Sequence, residues 1–221
     1  MHHQGKVHVL PVTPYLTYLH TKIRDKHADL RTFTHFSDQV IRQLLIKASE
    51  LLPYSDQSVT TPIGDIYPGK ALSQGICGVS VIRAGESMEG EFKQMFPEQP
   101  IGKILIQRDK VTKLPEYFYC HFPPTIAQQT VLLFEPMLAT GGSLLKAIDV
   151  LLEHGVAIEN IIVVNFLTSP AGLDRLLTTH PAIQLVTSSV EDAMNEEAFM
   201  RPGIGDFGDR YFGTYLGQTH E

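Results

Sequence analysis

The chain has few cysteines and no apolar run long enough to cross a bilayer. Its two cysteines, Cys77 and Cys120, have neither metal-site spacing nor a disulfide framework, so we expect reduced thiols in a cytoplasmic protein. The longest core-like apolar stretch covers residues 161–167, whereas a membrane-spanning helix needs about 20 apolar residues. The first residues, Met1-His-His-Gln, also lack the apolar stretch of a signal peptide. We therefore expect no membrane partner.

The chain also lacks an excess of basic residues. It carries 18 Lys and Arg against 24 Asp and Glu, for a net charge of −6. This balance argues against nucleic-acid binding by bulk electrostatics, but a few clustered arginines can still bind a small anionic substrate. There is no internal repeat, low-complexity tract or linker. With 221 residues, 43% of them hydrophobic, we expect one domain spanning residues 1–221.

Apolar periodicity predicts alternating strands and helices. The helix at 37–52 would be capped by Ser37, and the turn-rich segment 60–70 would be a hairpin arm or a loop. The expected strands are at 78–82, 101–107, 131–134, 161–167 and 183–187, and the other expected helices are at 84–96, 144–153 and 171–178. Such alternation predicts an α/β fold with a mostly parallel central sheet flanked by helices.

The most informative segment joins a predicted strand to a predicted helix. The apolar run 131–134 is followed by one acid, Glu135, and then by a small Gly-rich turn. The residues after the acid are Pro136, Met137, Leu138, Ala139, Thr140, Gly141, Gly142 and Ser143. Gly141 and Gly142 permit positive φ, and backbone N–H groups at a helix N-terminus favour phosphate. The spacing fits neither a Walker loop nor a dinucleotide turn, and an acid four residues before Ala139-Thr-Gly-Gly-Ser suits a phosphorylated sugar. A purely geometric turn is the alternative interpretation.

Two arginines are expected at the same edge of the sheet. Arg83 follows the strand at 78–82, and Arg108 follows the strand at 101–107. Carboxyl ends of parallel strands meet at one edge, where ligands of such sheets bind. Because guanidinium groups bind phosphate oxygens bidentately, this arrangement favours phosphate binding over two solvated surface arginines.

A second Gly-rich segment lies near the C-terminus. Its sequence, from residue 200 to 214, is Met-Arg-Pro-Gly-Ile-Gly-Asp-Phe-Gly-Asp-Arg-Tyr-Phe-Gly-Thr. Four glycines within eleven residues predict irregular backbone, without a regular helix or strand, that presents main-chain groups to a ligand. The alternative is a surface loop in which Asp209 and Arg210 form a local ion pair.

Together these motifs resemble uracil phosphoribosyltransferases. The resemblance rests on the two Gly-rich segments, on Arg-Ala-Gly-Glu-Ser-Met-Glu at 83–89 and on Ile-Leu-Ile-Gln-Arg-Asp at 104–109. It extends from about residue 7 to 214 and is strongest to the eukaryotic branch. It implies the type I phosphoribosyltransferase fold, in which a hood, here mainly residues from about 188 to 216, covers the site.

The resemblance also implies a reaction and roles for individual residues. Uracil and 5-phosphoribosyl 1-diphosphate (PRPP) would give UMP and diphosphate, with Mg²⁺ held mainly by PRPP and water. Arg83 and Arg108 would bind the diphosphate of PRPP, Glu135 its ribose, and the turn from Ala139 to Ser143 its 5-phosphate. Pro136, Met137 and Leu138 are further expected PRPP contacts. Asp206 would also reach PRPP, and Asp206 and Arg108 are the expected catalytic residues. The expected uracil contacts, mostly through the main chain, are Met200, Gly205, Asp206 and Phe207.

Three positions depart from the family pattern. Glu135 replaces the usual Asp, Lys110 replaces a usual Glu, and Arg201 stands where an apolar residue is usual. The resemblance further implies a homodimer or homotetramer and allows activation by GTP, for which basic residues near Arg24, Lys26 and Arg31 are candidates. A transferase for another base and a non-catalytic sensor of uracil or a nucleotide remain the alternatives.

Overall fold

Buried apolar runs build the central sheet of this protein. The computed structural model describes residues 5–108, 115–196 and 199–214. Within those residues the strands are β1 (Val7–Val9), β2 (Tyr54–Thr60), β3 (Ile66–Leu72), β4 (Ile76–Ile82), β5 (Ile101–Arg108), β6 (Pro115–His121), β7 (Thr130–Phe134), β8 (Met137–Leu138), β9 (Ile161–Thr168), β10 (Gln184–Val190), β11 (Ala193–Met194) and β12 (Met200–Arg201). The α-helices are α1 (Pro14–Arg24), α2 (Leu30–Ser49), α3 (Glu89–Met95), α4 (Gly142–Glu153), α5 (Pro170–Thr179) and α6 (Phe207–Phe212).

The main sheet is parallel except at one edge. Its strand order is β1-β10-β9-β7-β4-β5-β6, and β8 also pairs with β9. Only β6, among the described strands of this sheet, runs antiparallel to its neighbour. The predicted mostly parallel sheet flanked by helices is confirmed. Because β4, β5, β7, β9 and β10 are parallel, their carboxyl ends lie along one edge of the sheet.

Two hydrophobic cores cover the two faces of the sheet. Along β7, Leu132 and Phe134 belong to one core, and Val131 and Leu133 belong to the other. This alternation follows from the two-residue period of side chains along a strand. The first core contains residues of α1, α2 and α6, whereas the second contains residues of α4 and α5. Strands buried on both faces explain why the sequence shows continuous apolar runs there.

The start of α2 was predicted wrongly. Asp29, and not Ser37, caps this helix: the Asp29 carboxylate accepts a hydrogen bond of 2.8 Å from the Thr32 N–H. Ser37 lies inside the helix and is buried. Phe33 extends the buried stripe by one turn, so the apolar face begins earlier than the run of aliphatic residues suggests.

The segment after α2 forms a hairpin, as one of the two predicted alternatives proposed. Strands β2 and β3 pair antiparallel from Tyr54–Leu72 to Thr60–Ile66 in a sheet of their own. Every residue of β2 is exposed. We call residues 54–72 the arm; Leu72, at its end, packs against the first core.

Two further predictions need correction. The expected helix at 84–96 is a 3₁₀ turn at Ala84–Met88 followed by α3. The expected absence of regular structure near the C-terminus is also wrong, because α6 forms there and includes Gly208. Asp206 caps α6 and offsets the poor helix propensity of glycine. Across the described residues, no helix combines the length and the apolar character needed to span a membrane.

Candidate active site

A cleft of about 300 Å³ opens at the carboxyl edge of the sheet. Its walls come from segments far apart in the sequence, namely the ends of β4 and β7 and the C-terminal Gly-rich segment. The lining residues are Arg83, Ala84, Met137, Ala139, Phe199, Met200, Gly203, Ile204, Gly205, Asp206, Phe207 and Gly208. The predicted PRPP segment and the predicted uracil segment therefore face one another across a single cavity.

The turn from Ala139 to Ser143 leads directly into α4. Gly141 has φ +79°, in the left-handed region, and α4 begins at Gly142. Both glycines of this pair permit positive φ, and in the structure Gly141 is the one that adopts it. The first N–H groups of a helix have no partner inside the helix, so the start of α4 has the geometry of an anion site. Thr140, Gly142 and Ser143 are partly exposed there, beside rather than on the cleft lining.

Helix α5 holds this turn from behind. Ser169, which caps α5, donates its hydroxyl to the Ala139 carbonyl at 2.5 Å and its N–H to the Leu138 carbonyl at 2.8 Å. Arg175 donates to the Thr140 carbonyl at 3.1 Å. Because the carbonyls of the turn are bonded on the α5 side, the turn has a fixed orientation relative to α4.

Glu135 emerges where β7 ends, as predicted. Its side chain is buried, and its backbone is bonded to β9 through the Val164 carbonyl at 3.2 Å. Asn165 donates its side-chain amide to the carbonyls of Glu135 and Pro136, at 2.9 and 3.0 Å. Sequence reasoning missed Asn165, although one amide within the apolar stretch of β9 was the available signal. The buried Pro136 and Leu138 thus anchor the segment to the sheet.

Arg83 follows β4 and contacts the C-terminal segment. It pairs with Asp209 at 2.7 Å and hydrogen-bonds the Thr214 hydroxyl. The hydrogen bond from Arg83, aided by that from Thr214, holds the pKa of Asp209 below its usual range. The Arg83 side chain is still 43% exposed, which leaves surface for a ligand. Arg108 is the last residue of β5, but its side chain and the whole of Lys110 lie outside the described residues.

The C-terminal segment presents backbone to the cleft and side chains to the core. The Phe207 ring is buried against Phe33, Phe166 and Tyr211, with ring centroids 5.1–5.6 Å apart. The chain around Asp206 is exposed towards the cleft, and its carboxylate accepts the Asp209 N–H at 2.8 Å. This arrangement suits recognition of a ligand through main-chain groups.

The postulated local pair between Asp209 and Arg210 is not the arrangement observed. Asp209 pairs with Arg83, whereas Arg210 donates to the backbone carbonyls of Ile23, Asp25 and Ile204.

Sequence reasoning also missed five lining residues, which are Ala84, Phe199, Gly203, Ile204 and Gly208. Four of these five directly neighbour residues that were predicted.

The described residues contain no group of three or more His, Cys, Asp or Glu side chains that could hold a metal ion. Asp206 is the one carboxylate among the described lining residues of the cleft. A second carboxylate, Glu135, directly follows β7, at the carboxyl edge of the sheet. A Mg²⁺ ion typically uses one or two protein carboxylates together with substrate phosphates and water. The donors present fit that pattern.

Comparison with known proteins identifies the class of this fold. The solved structure of the AQ2163 protein from Aquifex aeolicus superposes with a TM-score of 0.84 at 24% identity, covering 96% of this chain and 100% of that one. The adenine phosphoribosyltransferase of Trypanosoma brucei superposes with a TM-score of 0.55 at 14% identity and 87% coverage of both chains. The molecule has the type I phosphoribosyltransferase fold, with the cleft at the expected edge.

Sequence comparison then gives the family. Residues 10–214 match the family described as uracil phosphoribosyltransferase. A uracil phosphoribosyltransferase of Dictyostelium discoideum is 42% identical over 214 residues, which cover 97% of this chain and 99% of the relative. The chain belongs to the uracil phosphoribosyltransferase family, and the resemblance inferred from the motifs is confirmed.

Proposed function

We propose that this chain transfers the 5-phosphoribosyl group of PRPP to N1 of uracil, forming UMP and diphosphate. The observation that carries the proposal is the single cleft in which the phosphate-turn segment faces the C-terminal Gly-rich segment. A transfer reaction requires both substrates side by side. These two segments have the chemistry for a sugar phosphate and for a flat base with a fixed hydrogen-bonding edge.

PRPP would bind along the carboxyl edge of the sheet. The turn from Ala139 to Ser143 would hold the 5-phosphate at the start of α4, and Glu135 would hold the ribose hydroxyls. Pro136, Met137 and Leu138 would also contact PRPP. Arg83 and Arg108 would bind the diphosphate, Arg83 through the exposed part of its guanidinium group. The extra methylene of Glu135 relative to Asp can be accommodated by a different rotamer.

Uracil would bind against the main chain of Met200, Gly205, Asp206 and Phe207. Backbone N–H and C=O groups match the alternating acceptors and donors of a uracil edge and reject bases with a different edge. The buried Phe207 ring holds this backbone in place without needing to contact the base. Arg201, the departure in this segment, is exposed and lies outside the cleft lining.

The chemistry requires alignment more than covalent catalysis. As the bond from the anomeric carbon to diphosphate breaks, positive charge develops on the ribose and N1 of uracil attacks the opposite face. Arg108 and Arg83 would stabilise the negative charge of the departing diphosphate. Asp206, on the cleft wall, would accept the N1 proton and favour the charge on the ribose. Mg²⁺, held by PRPP oxygens and water near Asp206, would neutralise diphosphate charge when bound.

The arm supports the expected homodimer or homotetramer. A two-stranded hairpin alone is marginally stable in water, and this one exposes apolar side chains including Val59, Ile63 and Ile66. A second copy of the chain would cover them.

A cytoplasmic location remains a prediction, supported by Cys77 and Cys120, which are both free thiols. The assay below also tests activation by GTP; Arg24, one of the named basic residues, already hydrogen-bonds Glu191 and Gly203.

The direct experiment incubates the protein with labelled uracil, PRPP and Mg²⁺ and measures UMP. Parallel reactions contain adenine, hypoxanthine or orotate, and others contain EDTA or added GTP. The proposal is supported if UMP forms from uracil, if the other three bases give no nucleotide, and if EDTA abolishes UMP formation. A product from another base would favour a different transferase. Uracil binding by calorimetry without any product would favour the non-catalytic sensor.

A further inference from the structure

The C-terminal Gly-rich wall of the cleft is attached to distant elements by two buried charged side chains, Glu191 and Arg210, and one partly buried one, Arg24. Arg24, the last residue of α1, donates to the Gly203 carbonyl at 3.0 Å. The same guanidinium group binds both carboxylate oxygens of Glu191, at 2.7 and 2.8 Å. Glu191 in turn accepts the Gly203 N–H at 2.7 Å. Both main-chain groups of Gly203, a cleft residue, are thus held by one ion pair.

Glu191 lies just beyond β10, where few charged residues would be tolerated without partners. Its side chain is 1% exposed, and it also accepts the Ser189 hydroxyl at 3.0 Å. Burial alone would raise the pKa of Glu191, but the hydrogen bonds from Arg24, Gly203 and Ser189 and the positive charge of Arg24 together outweigh burial and lower that pKa. A carboxylate so placed stays ionised, and breaking a buried pair is far more disruptive than losing a surface pair.

A second arginine, Arg210, also connects the end of α1 with the C-terminal Gly-rich segment. Arg210, on α6, donates to the Ile204 carbonyl at 2.9 Å and to the Ile23 carbonyl at 2.7 Å. Its other terminal nitrogen donates to the Asp25 carbonyl at 2.7 Å, and its guanidinium group lies over the Phe33 ring at 4.3 Å. The end of α1 and the backbone of Gly203 and Ile204 are therefore joined twice.

We propose that Arg24, Glu191 and Arg210 are positioning residues that set the main-chain geometry of the base pocket and thereby determine affinity for uracil. None of the three is among the described lining residues of the cleft, so they act through Gly203 and Ile204. The inference rests on the proposed function, in which main-chain groups of this segment recognise the base. A backbone held by side chains of two other elements keeps its donors and acceptors aligned, whereas a free Gly-rich loop would sample many arrangements.

The test is Arg24→Lys. Lysine keeps a positive charge beside Glu191, so the buried carboxylate remains compensated, but its single ammonium cannot reproduce the planar fork that reaches Gly203 and both carboxylate oxygens. We expect KM for uracil to rise about 10- to 100-fold, as for loss of a charge-assisted hydrogen bond. KM for PRPP and kcat at saturating uracil should stay within about twofold of wild type.

Arg42→Lys is the matched control. Arg42 also pairs with a glutamate, Glu91, at 2.5 Å, but this pair joins α2 and α3 and lies outside the cleft. Its three kinetic constants should match those of the wild type. Glu191→Gln provides a second variant of the proposed network. It should raise KM for uracil as Arg24→Lys does, with circular dichroism confirming that the fold is retained.

The outcomes are distinct. A folded Arg24→Lys or Glu191→Gln protein with wild-type KM for uracil would overturn the inference, as would equal losses in both KM values and kcat. A purely structural role would lower the active fraction, measured by a single-turnover burst, without changing KM for uracil. A wild-type protein that makes no UMP would overturn the proposed function itself, and the positioning role with it.

Discussion

At the scale of single residues, Asp206 has a structural role that sequence reasoning did not predict, in addition to the chemical role that we propose. Its carboxylate lies on the cleft wall, and it also caps α6 by accepting the Asp209 N–H. A capping residue requires an acceptor oxygen, whereas proton transfer and stabilisation of positive charge require a carboxylate. Asparagine supplies the first property without the second, so substitutions can separate the two roles.

We predict that Asp206→Asn keeps the fold and most of the uracil affinity but lowers turnover about 10²- to 10⁴-fold, if the carboxylate accepts the N1 proton. Asp206→Ala should lose the cap as well and destabilise the protein by about 0.5–2 kcal/mol. Steady-state kinetics and thermal melting on both variants provide the measurement. Wild-type turnover in Asp206→Asn would exclude both proposed chemical roles and direct the search for a base to solvent or to the leaving diphosphate.

His20 is a second residue that leads to a prediction, because it should make the stability of the protein depend on pH. It lies on α1 against Phe166, with its Nε2 atom buried. Burial lowers the pKa of His20 to about 4, with a smaller lowering from Arg24 and an opposing effect from Glu191. The unfolded chain binds the proton near pH 6.5 and the folded chain does not, so stability should fall as the pH drops from about 6.5 towards 4.

The expected loss from this single histidine between pH 7 and pH 5 is about 2 kcal/mol. His20→Leu should remove that part of the pH dependence, whereas His27→Leu, at an exposed position, should keep it. Urea unfolding at both pH values and one protein concentration measures the difference. Equal pH dependence in wild type and His20→Leu would contradict a neutral buried His20.

At the scale of elements, the position of the turn from Ala139 to Ser143 depends on how closely α5 approaches it. Gly172, in the first turn of α5, has no room for a side chain: a Cβ there would lie 2.5 Å from the Ala139 carbonyl oxygen and 2.8 Å from that of Leu138. These backbone atoms belong to the turn and its preceding strand. Any side chain at residue 172 must therefore push α5 and the turn apart.

We predict that Gly172→Ala raises KM for PRPP about tenfold or more and lowers the melting temperature, although alanine is the better helix former. Gly90→Ala is the matched control, because Gly90 is also in the first turn of a helix and a methyl group there would have no neighbour within 4 Å among the described residues. That variant should be neutral or slightly stabilised. Unchanged PRPP kinetics in Gly172→Ala would show that the turn tolerates displacement.

The elements also show which features the sequence could reveal. The parallel strands were predicted because strands buried on both faces appear as continuous apolar runs, as at 131–134 and 161–167. Helix α6 was missed, because the four glycines of the C-terminal segment suggested irregular backbone and the cap that Asp206 provides was not recognised. Contacts such as Arg24 with Glu191, 167 residues apart, have no local pattern and follow only from the fold.

At the scale of the whole molecule, the arm exposes apolar side chains that the described residues of this chain leave uncovered. Its two strands pair with each other in a sheet separate from the main one. Ile63 and Ile66 are 84% and 67% exposed. Water-exposed apolar side chains on an extended hairpin indicate a surface that is covered in an assembly. We therefore predict that the arm forms the interface between copies of this chain in the proposed homodimer or homotetramer.

Replacing residues 55–71 by a short Gly-Ser linker should therefore yield a folded monomer. Tyr54 and Leu72 are directly paired, so a few residues can join them without strain on α2 or β4. Analytical ultracentrifugation should show the wild type at two or four times the mass of one chain and the truncated protein at one. Ile66→Lys keeps the arm but adds a charge to its apolar surface, and it should also weaken the assembly. This variant shows whether the effect comes from losing the interface or from deleting the arm. An unchanged oligomer in both variants would place the interface elsewhere. A truncated protein that is monomeric but keeps wild-type UMP formation would show that the active site needs no residue from a second copy.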